Sequence, residues 1–245
     1  MIYLLFATMM IYSSFLIWLI IGNSFTSKKK IVSDFPPVSV VVAVRDGADS
    51  LPFLISDLSK QEYDGDVEFI LIDDESQDAT AQIIKTIAKK DDRFNHGSSI
   101  VGDNSLHMKK RALDAGISIA KHEWLLFTDV DCRLQSNWVD GMAKYFSKQN
   151  DYIIGHSGVP WGKKLINIFQ SIDFLLLLIA ARGSAKLGHS LACTGQNQAY
   201  RKSLYKKVKG FSRICNERQG DDTLFLQICK KWGNASIKYA DDLTT

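Results

Sequence analysis

The stretch LLFTDVDCRL (residues 125–134) runs an apolar segment straight into two aspartates separated by one residue, Asp129 and Asp131. Like charges at the end of an apolar run are either a solvated turn or a pair of oxygen ligands for a divalent cation. Mg²⁺ and Mn²⁺ favour oxygen and commonly bind through one or two carboxylates together with substrate phosphates. A cation held there would neutralise a diphosphate leaving group. The tripeptide alone leaves turn and metal site both open.

Three further stretches carry chemistry-bearing side chains. ILIDDESQDAT (70–80) also ends an apolar run in two carboxylates, Asp73 and Asp74. Ser76 or Asp78 can cap a following helix, but capping does not call for the adjacent pair at 73 and 74. A carboxylate there could accept from a base N–H or bind ribose hydroxyls. GQNQAYRKSLYKKVKGF (195–211) offers close backbone approach at Gly195 and amide donors and acceptors at Gln196 and Asn197. Its Arg201, Lys202, Lys206, Lys207 and Lys209 form a basic surface, or simply a solvated helix face. QGDDTLFLQICKKWG (219–233) puts Asp221 and Asp222 ahead of an apolar helix. Carboxylates suit a helix N-terminus, and one of them aimed into a pocket could be a general base.

The elements around these stretches explain how they converge. VSVVVAV (38–44) is a continuous β-branched run, the pattern of a strand buried on both faces. Residues 51–60 are predicted helical, with Ser50 as cap, Pro52 in the first turn and Leu51, Leu54, Ile55 and Leu58 on one face. VEFILI (67–72) is predicted as a strand, 79–90 and 108–120 as helices, and WLLFT (124–128) as a strand. This alternation argues for an α/β, Rossmann-like, mostly parallel sheet flanked by helices. In such sheets ligands bind at the carboxyl ends of the strands, where RDG (45–47), DDES (73–76) and DVD (129–131) all fall.

The composition narrows the class. The 245 residues are 46% hydrophobic and 23% charged with a net charge of +3, which suits one sizeable globular domain and gives no footprint for nucleic acid. The four cysteines lie far apart and read as reduced thiols. Residues 1–27 hold no charged side chain, and the apolar run Ile2 to Ile21 would span roughly 30 Å as a helix. Lys28, Lys29 and Lys30 follow it. That pattern predicts a single-pass anchor in the inner (cytoplasmic) membrane, with the rest of the chain in the cytoplasm. Residues 28–37 read as a basic, proline-bearing linker. The apolar run at 165–181, interrupted by Asp173, reads as an amphipathic or buried helix near the bilayer surface rather than a second span.

Taken in order, these stretches resemble the inverting family 2 glycosyltransferases of the GT-A fold, in a membrane-anchored bacterial version. The resemblance covers about residues 38–242. VSVVVAVRDGADSLPFLISDLSKQ is similar to the family's opening strand and helix, with Arg45-Asp46 where Arg-Asn-Glu is more usual. IDDESQDAT resembles its nucleotide motif, KKRALDAGI its Lys-x-x-Ala-Leu-Asn-Ala-Gly stretch, DVD its metal motif, and GQNQAYRKSLYKKVKGF its acceptor-side segment. GDDTLF stands in place of the Glu-Asp motif, with Asp221 for Glu.

The resemblance implies a domain over 38–245, with a nucleotide-sugar half (38–132) and an acceptor half (133–245). It implies nucleotide-sugar contacts from Arg45, Asp46, Asp73, Asp74, Lys109 and Asp129. It implies a Mn²⁺ or Mg²⁺ ion held chiefly by Asp131 with Asp129, an acceptor side at Gly195, Gln196 and Asn197, and Asp222 as base with Asp221 beside it. The expected reaction moves a sugar from a nucleotide-diphosphate donor, a UDP-sugar by preference, to a cell-envelope saccharide or lipid-linked acceptor. The chain stops at Thr245 soon after the Asp-Asp pair, so it is expected to be cut short relative to processive members. The alternatives are a nucleotidyltransferase, which RDGADS disfavours for want of a basic Gly-rich loop, and a truncated, membrane-tethered binding protein without activity.

Overall fold

The computed structural model describes residues 2–25, 35–158 and 164–241. The basic linker lysines and the end of the chain lie outside the described residues. The strands are β1 (Val38–Val44), β2 (Val67–Asp73), β3 (Phe94–Ser98), β4 (Trp124–Phe127), β5 (Tyr152–Ile154), β6 (Gln198–Arg201) and β7 (Ile237–Tyr239). They form one mixed sheet in the order β3-β2-β1-β4-β6-β5-β7. β1, β2, β3 and β4 are mutually parallel, β6 runs antiparallel to both β4 and β5, and β7 lies parallel to β5.

The helices α2 (Leu51–Ser59), α3 (Thr80–Ala88) and α4 (Lys109–Ile119) make the crossovers between the parallel strands. α5 (Trp138–Ala143), α7 (Lys202–Lys207) and α8 (Thr223–Gly233) cover the second half of the sheet. β1 lies inside the sheet between β2 and β4, and its valines alternate between two cores. Val38, Val40, Val42 and Val44 pack with Leu51, Leu54, Leu58 and Trp138 on one face. Val41 packs with Ile70, Ala112, Leu113 and Phe127 on the other. This is why the strand carries no polar alternation.

The order of strands reverses between β1 and β4, since β1 continues outward to β2 and β3 while β4 lies on its other side. Such a switch point opens a crevice at the carboxyl ends of its two strands. The crevice here is flanked by Arg45 after β1 and Asp129 after β4. The antiparallel pairing of Phe127 with Gln198 brings Gly195, Gln196 and Asn197 to the same edge.

Two capping expectations are corrected. Ser50 makes no side-chain cap to α2. Ser76 does not cap α3; its hydroxyl accepts from Asp46 N instead. Asp78 does serve α3, accepting from Thr80 N at 2.9 Å.

α1 (Ile2–Ser24) is apolar and largely exposed, with only Leu19 and Gly22 buried, and is long enough to cross a membrane. α6 (Leu165–Lys186) reaches Lys186, farther than the sequence pattern suggested, and it too has the length and hydropathy of a span. It is not a buried core helix: Leu165, Phe169, Ile172, Leu176 and Ile179 are all exposed. The two helices meet at Gly22 and Gly183, where a methyl on Gly183 would lie 2.6 Å from Leu19 O. Asn23 Nδ2 donates to Ile179 O at 2.9 Å, and Arg182 donates to Asn23 O at 2.8 Å and to Asp241 at 3.0 Å.

Candidate functional site

The turns after β1 and β2 are stitched together. Asp46 N donates to Ser76 Oγ, Gln77 N to the Asp46 carboxylate, Gly47 N to Thr80 Oγ1 and Ala48 N to the Asp78 carboxylate, all within 2.7–3.0 Å. Asp46 holds a left-handed backbone, φ 47°. The polar residues at 46, 76, 78 and 80 thus fix two loops against each other. Asp73 accepts weakly from Ser76 N at 3.4 Å. Asp46 and, weakly, Asp73 accept from the loop backbone, while Arg45 and Asp74 line a cavity.

That cavity has a volume of about 470 Å³, within the range of small-molecule sites. Arg45, Asp74, Lys109, Arg218, Asp221 and Asp222 contribute its polar wall. Asp74 is 6% exposed and none of the described residues hydrogen-bonds its carboxylate, which leaves it available to a ligand N–H or hydroxyl.

Lys109 occupies the middle of the arrangement. Its ammonium lies 2.7 Å from Asp129 Oδ1 and 3.0 Å from Asp221 Oδ2. Burial works against the charge, but Asp221 and Asp129 outweigh it and hold the pKa well above the ordinary lysine value. Lys109 therefore stays cationic and joins the carboxyl end of β4 to the segment before α8.

Asp222 caps α8 by accepting from Thr223 N, and it also lines the cavity. Capping and pocket-facing roles coincide in one side chain. Burial raises its pKa above the ordinary aspartate value; the Thr223 N–H opposes this, the Asp221 charge adds to it and Lys109 subtracts. Like-charge repulsion from Asp221 is thus present, but burial is the larger cause.

Gly195 sits over this cluster. A methyl there would lie 3.2 Å from Lys109 Nζ and 3.4 Å from Asp221 Oδ2. Its loop is tied to α8 through Cys193, whose N–H donates to Thr223 Oγ1 at 3.2 Å and whose carbonyl accepts from that hydroxyl at 3.0 Å.

The remaining expected residues stand apart. Asn197 is buried, and its amide is engaged by Trp138 Nε1 at 3.2 Å and by His156 O at 2.6 Å. Gln196 and Asp131 do not line the cavity. Asp131 is exposed one residue beyond Val130. No group of three or more His, Cys, Asp or Glu side chains fit to hold a metal occurs among the described residues. Asp129 and Asp131 supply carboxylate oxygens, the donor type that a hard divalent cation takes. The basic surface at 201–209 is partly committed to the fold. Arg201 stacks 4.5 Å over Trp124, and Lys202 and Lys207 donate to backbone carbonyls.

Sequence reasoning missed Met108, Lys110, Arg218 and Gln219 on the cavity wall. The signal at 218–219 was adjacency to the Asp-Asp pair. Met108 has a positive φ of 56°, which no sequence pattern announces.

A doubly wound sheet with a crevice lined by charged side chains of both signs near its switch point defines a ligand-binding α/β class. Comparison with known proteins takes this further. The model of glycosyl transferase family 2 matches residues 39–209, and the chain belongs to that family. EpsH of Bacillus subtilis (strain 168), assigned to the glycosyltransferases by its name alone, is 28% identical over 123 residues, covering 49% of this chain and 33% of that protein.

The mannosyltransferase PcManGT from Pyrobaculum calidifontis, solved with GDP-Man and Mn²⁺, superposes with a TM-score of 0.68 at 14% identity, over 95% of this chain and 64% of its own. Residues 1–349 of S. aureus TarS give 0.57 at 21% identity, over 84% and 58%. Glucosyl-3-phosphoglycerate synthase from Mycobacterium tuberculosis, solved with Mn²⁺, UDP and phosphoglyceric acid, gives 0.54 at 17% identity, over 83% and 68%. The fold is GT-A. The chain spans a third of EpsH and about three fifths of PcManGT and of TarS 1–349.

Proposed function

We propose that this family 2 glycosyltransferase moves a sugar from a nucleoside-diphosphate donor to a saccharide or lipid-linked acceptor, with inversion at the anomeric carbon. The observation that carries the proposal is the single cavity on which Asp74, Lys109, Asp221 and Asp222 meet, joined to Asp129 through Lys109. Arg45 and Asp74 bind the nucleoside end of the donor, with Asp46 and Asp73 holding their loops. Lys109 neutralises diphosphate charge. Asp129 and Asp131 would hold a Mn²⁺ or Mg²⁺ ion, which when bound stabilises the departing diphosphate.

Asp222 takes the proton from the acceptor hydroxyl as that oxygen attacks the face opposite the leaving group. One base then suffices, and no covalent enzyme intermediate forms. Gly195, packed beside Lys109, Asp221 and Asp222, and the adjoining Gln196 would make up the acceptor side. The family match favours sugar transfer over nucleotidyl transfer. A UDP-sugar is the preferred donor. Two of the structural relatives were solved with UDP or GDP-Man.

α1 is the membrane anchor in this proposal, with the catalytic domain on the cytoplasmic side and the exposed apolar face of α6 at the bilayer surface. Such a position suits a lipid-linked acceptor.

The test is a panel of nucleotide sugars, with Mn²⁺, offered to the purified chain in detergent. One donor should raise thermal stability selectively, because ligand binding to the native state stabilises it. Asp222→Asn should abolish transfer while donor stabilisation persists. Transfer at the unmodified rate in D222N removes Asp222 from the base role. Asp131→Ala should lose the Mn²⁺-dependent part of donor stabilisation, and its retention would remove Asp131 from the metal site.

A further inference from the structure

The first turn of α4 carries two consecutive lysines that diverge. Lys109 points into the cavity toward Asp129 and Asp221. Lys110 also borders the cavity, but it is 1% exposed and its amine is turned to the backbone. Its amine donates to Ile214 O at 2.8 Å and to Glu217 O. One carbonyl closes the short 3₁₀ turn Ser212–Ile214, and the other lies in the segment that follows it and leads into Arg218, Gln219, Gly220, Asp221 and Asp222. The segment is otherwise held at its two ends, by Ile214 in the core and by Gln198 Nε2 donating to Asp221 O, and between them by a Glu217 N to Ile214 O hydrogen bond. Arg218 and Gln219 are exposed, and Gly220 adopts φ +117°, a conformation that holds the chain's turn into α8.

Burying a lysine amine is costly unless its donors are met, and here two backbone carbonyls of a single loop meet them. We propose that Lys110 is a positioning residue: it holds the 214–220 segment against α4, and so sets the cavity wall and the placement of Asp221 and Asp222. α4 would then grip the base-bearing segment at two points, Lys110 on its backbone and Lys109 on the Asp221 side chain. The inference rests on the proposed donor cavity only for its consequence in binding. The positioning itself concerns the loop.

Lys110→Met keeps the length and apolar stem while removing the donors. Lys202→Met is the control, since Lys202 also donates to two carbonyls, Ser118 O and Ala120 O, remote from the cavity. Amide exchange by mass spectrometry and UDP titration with Mn²⁺ are the measurements, made on the whole chain in detergent. In K110M, exchange over 214–222 should quicken about tenfold or more with the β1–β4 core unchanged, and UDP should bind about tenfold more weakly. K202M should show neither change.

Exchange that quickens evenly across the domain in K110M, or a loop that stays as protected as in the unmodified chain, overturns the proposal. So does a quickened loop with unaltered UDP affinity. If the unmodified chain binds no UDP, the donor proposal fails while the exchange pattern still decides the role of Lys110. Should K110M not fold, Lys110→Gln, which keeps a shorter donor, gives the same comparison: partial protection of 214–222 supports the proposal, and full protection overturns it.

Discussion

Removing the Lys109 ammonium should destabilise the domain, and the structure sets the size of the effect. Its Nζ lies 2.7 Å from Asp129 and 3.0 Å from Asp221, with the lysine side chain 37% exposed. At an effective dielectric of about 40–80, each contact is worth about 1.4–3 kcal/mol before costs. Desolvating the ammonium and fixing a long side chain offset much of that, leaving a net of about 1–3 kcal/mol for Lys109→Met. At a urea slope of about 2 kcal/mol/M, the unfolding midpoint should fall by about 0.5–1.5 M.

The difference between K109M and the unmodified chain should shrink when salt rises from about 0.1 to 1 M, because screening shortens from about 10 Å to 3 Å. K109M leaves Asp129, Asp221 and Asp222 without their shared cation. A divalent ion should therefore raise the K109M midpoint more than it raises that of the unmodified chain. A K109M midpoint equal to or above the unmodified value at low salt would refute the reasoning, since it would mean that desolvation outweighs the two ion pairs.

Other perturbations follow from the same geometry. Asp222 has a raised pKa, so the acid limb of the transfer rate should lie above the ordinary aspartate value of 3.8; K109M should move it to higher pH, because Lys109 pulls that pKa down. A pH–rate profile checks both points. Asp57 has its pKa lowered, chiefly by the Arg133 side-chain hydrogen bond. It therefore contributes stability that is present above its unfolded value and lost as pH falls through the lower folded one. Asp57→Asn should flatten that acid loss in urea titrations between about pH 5 and the folded value. Gly116→Val should cost about 1–3 kcal/mol, since its first carbon would already lie 2.5 Å from Val41 Cγ1, and thermal melting reads the loss. Gly22→Leu should part α1 from α6, and spin labels at positions 18 and 189 should then report a longer separation than in the unmodified chain.

The parallel half of the sheet was legible because buried strands write themselves as β-branched runs and their crossover helices as apolar faces of regular spacing. β1, β2, β4, α2, α3 and α4 fall within a residue or two of their expected ends. β3 was not legible: FNHGS carries polar residues and a glycine on an edge, where one side of the strand has no neighbour to demand bulk. β5, β6 and β7 are three or four residues each, too short for a period to emerge. α6 was legible as an apolar helix but not as an exposed one, because one Asp173 in an apolar run says nothing about which neighbour covers it, and in the structure most of its apolar face has none among the described residues.

The site divides along the same physical line. Five of the side chains singled out in the sequence, Arg45, Asp74, Lys109, Asp221 and Asp222, lie on one cavity. Side chains of the same types that serve the loops were not separable from them. Asp46 and Asp74 look alike in sequence, yet one carboxylate is taken by Gln77 N and the other faces the cavity. The difference lies in which backbone N–H groups a turn leaves unpaired, and that is fixed only when the turns after β1 and β2 are brought side by side by their parallel register.

The two aspartates of DVD pose the same problem. Their repulsion cannot be judged from neighbouring residues, because the charge that offsets one of them comes from Lys109, twenty positions earlier and on another element. The β1–β4 switch point brings that lysine to Asp129 and, through the α8 end of the fold, to Asp221 as well. Around Lys109 itself one monovalent charge is shared by two carboxylates, with Asp131 and Asp222 close by in sequence, so positive charge is short at that point even though Arg45 and Arg218 line the same cavity. That shortage is what a divalent cation or a cation-bearing diphosphate would supply, and it is the physical ground on which the metal role of Asp129 and Asp131 should be tested.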